Sequence, residues 1–178
     1  MRLRLTPAGL AAPGRRIPVA LGRGGIVPGA AKREGDGATP AGLLLITALL
    51  YRPDRLAAPA PWARPIRPGD LWCDDPAAAG YNTAVRAPCH ASHEVLRRAD
   101  PLYDVVLVTD WNTDPAVPGR GSAIFLHQWR RQGAPTAGCI AMARADLLWL
   151  ARRAAPGTLI AVPVLPGAVP RRAVRARV

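Results

Sequence analysis

Short apolar runs, most of them ended by proline or glycine, dominate the hydrophobic pattern of this chain. Runs of this length are typical of strands, and proline and glycine are typical of the turns between strands. The pattern predicts strands at residues 2–5, 17–21, 43–51, 105–109, 122–126 and 158–164. The run at 43–51 is apolar throughout, which predicts a central position in a sheet.

One segment has a clear helical period. In residues 145–155 the apolar side chains fall on one face, made of Leu147, Leu148, Leu150 and Ala151. Asp146 in the first turn and the arginines at 152–153 in the last turn complement the helix dipole. A second, short helix is predicted over residues 92–98, with Ser92 as its N-cap.

The segments between these elements are predicted to be loops. Residues 22–42 are rich in glycine, 53–70 are rich in proline, and 71–86 have a loop-like composition. We therefore expect one mainly β domain over residues 1–165, with one or two short helices. A basic, flexible tail is expected over residues 166–178.

Length and charge narrow the class of protein. A chain of 178 residues is long enough for one domain with a substantial core. The formal net charge is +12, from 24 basic and 12 acidic residues, and such a charge attracts polyanions. The candidate polyanions are nucleic acid, an anionic membrane surface and a carboxylate-rich cell wall. Only 5% of the residues are aromatic and no basic stripe alternates with them, which argues against nucleic acid.

The chain has three cysteines, Cys73, Cys89 and Cys139, an odd count without metal-ligand spacing. A disulfide between Cys73 and Cys89 is arithmetically possible, but no disulfide framework is present, so we expect three thiols. His90, His93 and Cys89 lack a fourth zinc ligand, and we expect no metal and no cofactor.

The hydrophobic pattern shows neither a signal peptide nor a membrane-spanning segment. The N-terminus has no apolar core of signal-peptide length, and the longest apolar segment, 42–51, is too short to span a bilayer. We therefore expect no integral membrane segment. If the chain is exported, it is either a mature form or uses a route that the sequence does not reveal.

The candidate chemistry lies between residues 119 and 143. His127 ends the apolar run at 122–126, and a turn then leads to Cys139. A thiol nucleophile needs a base nearby, and two neighbouring strands joined by a loop can supply that pairing. Gly138 lets backbone approach closely, so N–H groups at Gly138 and Cys139 can face a developing oxyanion. The alternative is that Cys139 is only a small buried hydrophobe.

This arrangement resembles the signature of the L,D-transpeptidases, the YkuD-like enzymes that cross-link bacterial peptidoglycan through a cysteine acyl-enzyme. Four residues fall on the family pattern in order: His127, Thr136, Gly138 and Cys139. Further blocks also resemble the family, at residues 32–42, 72–76, 81–82, 92–94 and 102–104. The resemblance extends over residues 15–163 in the correct order.

The resemblance implies an L,D-transpeptidase-type β-sandwich in which a strand carries the cysteine. His127 would take the thiol proton of Cys139, and the thiolate would attack the carbonyl of a donor stem's meso-diaminopimelate. A backbone carbonyl near Gln128 is expected to orient His127. We expect eight residues to contact substrate: Trp72, Tyr81, Asn82, Arg86, His93, Glu94, Asn112 and Thr136.

The resemblance also implies the setting of the reaction. Peptidoglycan stem peptides are the expected partners, and nucleic acid is not. The protein is expected to be a monomer in the periplasm.

Two positions beside the cysteine depart from the family pattern. Ala137 stands where many members have His, and Ala141 stands where many have Arg. Without that cation, an acceptor amine with a carboxylate on the same carbon is held less well. We therefore favour 1-3 links, from diaminopimelate to the L-Ala at stem position one, over 3-3 links between two diaminopimelates. The alternatives are an L,D-carboxypeptidase with water as acceptor, and a non-catalytic basic module that binds cell wall or polyanions.

Overall fold

The computed structural model describes residues 1–164, so the tail predicted at 166–178 lies outside the described residues. The described chain is mainly β with one α-helix, as predicted. The strands are β1 (Arg2–Thr6), β2 (Gly9–Ala12), β3 (Arg15–Ile17), β4 (Val19–Ala20), β5 (Ile26–Pro28), β6 (Thr39–Tyr51), β7 (Arg64–Pro65), β8 (Asp70–Cys73), β9 (Ala84–Arg86), β10 (His93–Val95), β11 (Val105–Thr109), β12 (Phe125–Gln128), β13 (Ile140–Met142) and β14 (Leu159–Val162). The helix is α1 (Arg144–Ala151), and 3₁₀ turns lie at Gly29–Ala31 and Pro101–Tyr103.

The longest strand, β6, joins the two halves of the larger sheet. Its first half pairs with β14 and its second half pairs with β11, both antiparallel. The strand order across this sheet is β3-β2-β1-β14-β6-β11-β12-β13-β4, and β5 and β7 also pair with β6. A separate three-stranded sheet has the order β10-β8-β9. The strands that carry the candidate chemistry, β12 and β13, therefore follow β11 towards one edge of the larger sheet.

The strands beside the site are buried on both faces. Because alternate residues of a strand point to opposite faces, β11 and β12 contribute to two cores. Leu107 and Leu126 belong to a core that includes α1. Val106 and Phe125 belong to a second core, which includes Trp72 of β8. Burial on both faces is the reason that residues 105–108 are apolar without interruption.

Several predicted strands are present with changed bounds. The strand predicted at 105–109 is β11, with the same bounds. The strand predicted at 122–126 begins only at Phe125, because Ala123 has a positive φ of 51°, which does not continue a strand. The run at 43–51 belongs to β6, which is central as predicted but begins at Thr39. The glycine-rich loop therefore ends earlier than expected, and it also contains β5.

Two local predictions around the smaller sheet are wrong. Residues 92–98 form no helix, because His93–Val95 is strand β10, paired antiparallel with β8. Residues 71–86 are not a continuous loop, because β8 pairs antiparallel with β9. Trp72 and Leu96 are both buried in the second core, so packing against that core overrides the N-cap signal at Ser92.

The helix α1 is shorter than the segment predicted at 145–155. Leu147, Leu150 and Ala151 face the core as expected, and Leu148 is partly buried. Arg152 is the C-cap, so the pair at 152–153 lies beyond the last turn. Within residues 1–164, no helix has the length and hydropathy needed to cross a membrane.

The alternation along β6 generates a stability prediction. Leu44 is 1% exposed and its neighbour Leu43 is 69% exposed. Leu44→Ala should lower the free energy of unfolding by about 2–5 kcal/mol, because it leaves a cavity in the core. Leu43→Ala, the matched control, should change it by about 0.5 kcal/mol or less. Urea denaturation measures both, and equal losses would contradict this account of β6.

Candidate active site

The parallel pairing of β12 and β13 brings the predicted nucleophile and base together. Leu126 pairs with Ile140 and His127 pairs with Ala141. Since side chains alternate along each strand, His127 lies on the same face as Phe125, against which Cys139 packs. His127 and Cys139 both line one pocket of about 570 Å³. Two residues separated in sequence by a turn thus share one cavity.

The Cys139 thiol is held by backbone on both sides. Its Sγ donates to the Ala123 carbonyl oxygen at 3.1 Å and accepts from the Phe125 N–H at 3.4 Å. The side chain is buried, and burial above all raises its pKa to about 12, with a further contribution from the charge of Glu94. The resting group is therefore a neutral thiol at physiological pH.

A buried amide fixes the backbone that holds the thiol. Ala123 has a positive φ, a conformation that costs energy in a non-glycine residue. Its N–H donates to Asn82 Oδ1 at 3.0 Å, and Trp72 Nε1 donates to the same oxygen at 3.0 Å. Asn82 Nδ2 donates to the carbonyls of Trp111 and Asn112. Trp72 and Asn82, both expected to contact substrate, therefore lie behind Cys139 and do not line the pocket.

Gly138 permits close packing beneath the candidate nucleophile, Cys139. Its φ is +144°, and a Cβ there would lie 2.9 Å from the Ala38 carbonyl oxygen. Thr39 Oγ1 donates to the Gly138 carbonyl at 2.9 Å, so the glycine-rich segment docks directly on this turn. The Gly138 N–H donates to Thr136 Oγ1 at 3.1 Å. An oxyanion contact from this N–H would require that hydrogen bond to open.

His127 is oriented by a backbone carbonyl, at the position expected from the sequence. Its Nδ1 lies 2.8 Å from the Gln128 carbonyl oxygen. Because a carbonyl only accepts, Nδ1 carries the proton and Nε2 is left as a base. Burial lowers the pKa of His127 below its usual value, so the ring is neutral at neutral pH. The resting pair is a neutral thiol and a neutral imidazole.

An acid and an aromatic side chain complete the inner wall of the pocket. The Tyr103 hydroxyl donates to Glu94 Oε2, and the Tyr103 ring meets the His127 ring edge-on with centroids 5.3 Å apart. Burial is the main cause that raises the pKa of Glu94. The carboxyl group is therefore more basic than a solvated glutamate.

Three arginines line the pocket as well. Arg98 is paired with Asp100 at 2.7 Å and lies over the Tyr103 ring. Arg23 and Arg130 form no ion pair with any residue of 1–164, and both are exposed. They leave two free guanidinium groups at the pocket for an anionic ligand.

The structure brings some of the predicted residues together and separates others. His93, Glu94 and Thr136 line the pocket with His127 and Cys139. Tyr81 is buried, and its hydroxyl donates to Glu34. Arg86 lies on the exposed face of β9, where it pairs with Asp70. Asn112 lines a second pocket beside Trp111.

Sequence reasoning missed Tyr103, Arg23 and Arg98 as pocket residues. Tyr103 lies just before β11, which pairs with the strand that carries His127, so the antiparallel order offered a signal. Nothing local marks Arg23, which reaches the pocket from a distant segment, whereas Arg98 lies four residues after Glu94 in a segment that already held two expected site residues. In the described part of the chain all three cysteines are free thiols, and no group of His, Cys, Asp or Glu residues is arranged to hold a metal.

Comparison with known proteins assigns this chain to a family. The model of the YkuD L,D-transpeptidase catalytic domain matches residues 10–164. The chain therefore belongs to the L,D-transpeptidase family, whose members act on peptidoglycan. No curated protein and no solved structure matches it.

The neutral resting pair generates a prediction on thiol reactivity. Alkylation of Cys139 by iodoacetamide should rise about tenfold per pH unit from pH 7 to pH 10, because only the thiolate reacts and its pKa is raised to about 12. Peptide mass spectrometry measures the rate at Cys139. A free-cysteine peptide, with a pKa of about 8.5, should level off within this range. A plateau for Cys139 near neutral pH would instead indicate a preformed thiolate–imidazolium pair.

Proposed function

We propose that the protein is a peptidoglycan L,D-transpeptidase that works through a Cys139 acyl-enzyme. The observation that carries this proposal is the geometry of one pocket wall. Backbone groups of Ala123 and Phe125 seat the thiol, and His127 presents an unprotonated Nε2 to the same cavity. A buried cysteine that served only as packing would need neither a base nor an opening to a pocket.

In the first half of the reaction, His127 Nε2 accepts the thiol proton as Sγ attacks the donor carbonyl. The carbonyl is that of the diaminopimelate that precedes the terminal D-residue of the donor stem. The imidazolium then protonates the departing amine, which leaves as a free D-amino acid. Because thiol and imidazole are both neutral at rest, the proton moves only once a substrate carbonyl is in place.

The charges of the pocket fit an anionic donor. A stem peptide carries a carboxylate at its terminal D-residue and another on the diaminopimelate side chain. Arg23 and Arg130 line the pocket without carboxylate partners in residues 1–164, so each is available for one of these groups. We place the activity in the periplasm, where these stems are found.

The acceptor that we propose is the L-Ala amine at stem position one. Ala141 lies beside His127 in the β12–β13 pair and offers only a methyl group there. A second diaminopimelate would bring a carboxylate on the same carbon as its attacking amine, and that carboxylate needs a cation close to the nucleophile. An L-Ala amine has no carboxylate on the same carbon, so it needs no cation at this position.

The proposed nucleophile can be tested against the two other cysteines. Cys139→Ala should reduce cross-linking of isolated peptidoglycan to the level without enzyme, because the acyl-enzyme cannot form. Cys73→Ala and Cys89→Ala are the matched controls and should keep most of the activity, since neither residue lines the pocket. Mass spectrometry of released muropeptides measures the products. Turnover by a folded Cys139→Ala protein would refute the mechanism.

The bond in the dimeric products tests the acceptor. Tandem mass spectra should locate most new amide bonds between diaminopimelate and L-Ala rather than between two diaminopimelates. Ala141→Arg should shift the product ratio towards 3-3 links, because it supplies the cation that the wild-type position lacks. Predominant 3-3 links from the wild-type protein would contradict this assignment and leave the acyl-enzyme mechanism intact.

A further inference from the structure

Glu94 is the only acidic residue among those of 1–164 that line the pocket. It lies on β10 opposite Trp72 of β8, so a strand and not a loop positions it. The Tyr103 hydroxyl donates to its Oε2, and no other side-chain hydrogen bond within the described residues engages the carboxylate. Its Oε1 is thus left open to a ligand.

The carboxylate is close to both groups of the proposed acyl-enzyme chemistry. Tyr103, which holds Glu94, also packs against the ring of His127. The negative charge of Glu94 acts on Cys139, where it contributes to the raised thiol pKa. Glu94 therefore lies within electrostatic reach of the position that a Cys139 thioester would occupy.

Burial and two nearby acidic residues make the charged form of Glu94 costly. Burial raises its pKa most, and the nearby charges of Asp74 and Glu34 raise it further, while the Tyr103 hydrogen bond and Arg98 oppose this. Burial destabilises the charged form of a carboxylate. Binding of an ammonium group offsets this free-energy cost, and so does uptake of a proton.

We propose that Glu94 binds the ammonium group of the acceptor and takes one of its protons, so that the free amine can attack the Cys139 thioester. This inference rests on the proposed function, because it assigns a second base to the second half of that reaction. The sequence marked Glu94 only as a residue that contacts substrate. Each base then takes the first proton of its own partner: His127 that of the thiol, and Glu94 that of the acceptor ammonium.

The protons and bonds balance in this step. Glu94 accepts a proton from the ammonium, and the amine lone pair forms a bond to the thioester carbonyl carbon. The nitrogen gives its second proton to His127 Nε2 as the C–S bond breaks. The Cys139 thiolate then recovers that proton from the imidazolium. Glu94 releases its proton to solvent, which restores the resting enzyme.

The same carboxylate would also select the acceptor. A diaminopimelate acceptor would place its own carboxylate next to Glu94, and two like charges at close range repel each other. An L-Ala amine brings only its positive charge. Glu94 thus contributes a repulsive element to the choice of 1-3 over 3-3 links.

The experiment separates the two half-reactions in the full chain. A tetrapeptide stem acylates the enzyme, and the D-alanine released in a single turnover measures that step. An acceptor stem is then added, and aminolysis and hydrolysis products are separated by mass. Glu94→Gln should leave acylation and hydrolysis close to wild type and slow aminolysis about 10²-fold, the scale of general-base catalysis.

Two further variants test whether the carboxylate at position 94 is the group that matters. Glu94→Asp retains a carboxylate and should recover part of the aminolysis rate. Glu34→Gln is the matched control, because Glu34 is likewise held by a tyrosine hydroxyl, that of Tyr81, but does not line the pocket. It should leave acylation unchanged and slow aminolysis far less than Glu94→Gln does, because it removes only one of the charges that act on Glu94.

Each outcome decides the proposal. Unchanged aminolysis in Glu94→Gln would overturn it. Equal slowing of acylation and aminolysis would also overturn it, because that pattern belongs to donor binding or to a structural role. Failure of the wild-type protein to form any acyl-enzyme would refute the proposed function itself, and the inference with it.

Discussion

A single buried amide, that of Asn82, holds together the backbone that surrounds the Cys139 thiol. Asn82 accepts hydrogen bonds from Trp72 and Ala123 and donates to two carbonyls of the loop after β11. Ala123 is kept in a left-handed conformation by this contact, and its carbonyl receives the Cys139 thiol. Each buried polar group left without a partner costs about 1–3 kcal/mol. Removal of the Asn82 amide would leave several such groups without partners at once. The backbone geometry around the Cys139 thiol is thus set by residues that lie behind the pocket.

The chemistry of the pocket begins from neutral groups. Burial raises the pKa of the Cys139 thiol and lowers that of His127, so both effects disfavour an ion pair at rest. A thiol kept protonated is protected from oxidation and unspecific alkylation. In the proposed mechanism, the thiol proton is transferred only when a substrate carbonyl arrives.

The pocket carries charged groups of both signs. Arginines without carboxylate partners within residues 1–164, Arg23 and Arg130, suit the carboxylates of a donor stem. Glu94, held by Tyr103, suits an ammonium group. A substrate pair that carries carboxylates on one partner and an amine on the other matches this division, whereas a simple polyanion would find Glu94 repulsive.

The sequence by itself determined the mainly β fold and the strand β11 to the residue, and it predicted Cys139 and His127 as the candidate nucleophile and base. These features are local, because apolar runs bounded by turn residues and the His127-to-Cys139 motif lie within short stretches. The Gln128 carbonyl was also predictable, since it is adjacent to His127.

The tertiary structure alone decided which further residues line the pocket and which of the expected residues lie outside it. The predicted helix at 92–98 became strand β10 because pairing with β8 buries Leu96 and places Glu94 at the pocket. Trp72 and Asn82, which look like groove residues in the sequence, lie behind the thiol. Arg23 reaches the pocket because the segment after β4 runs beside Thr136. Such contacts join segments far apart in the chain, so neither local propensity nor motif spacing encodes them.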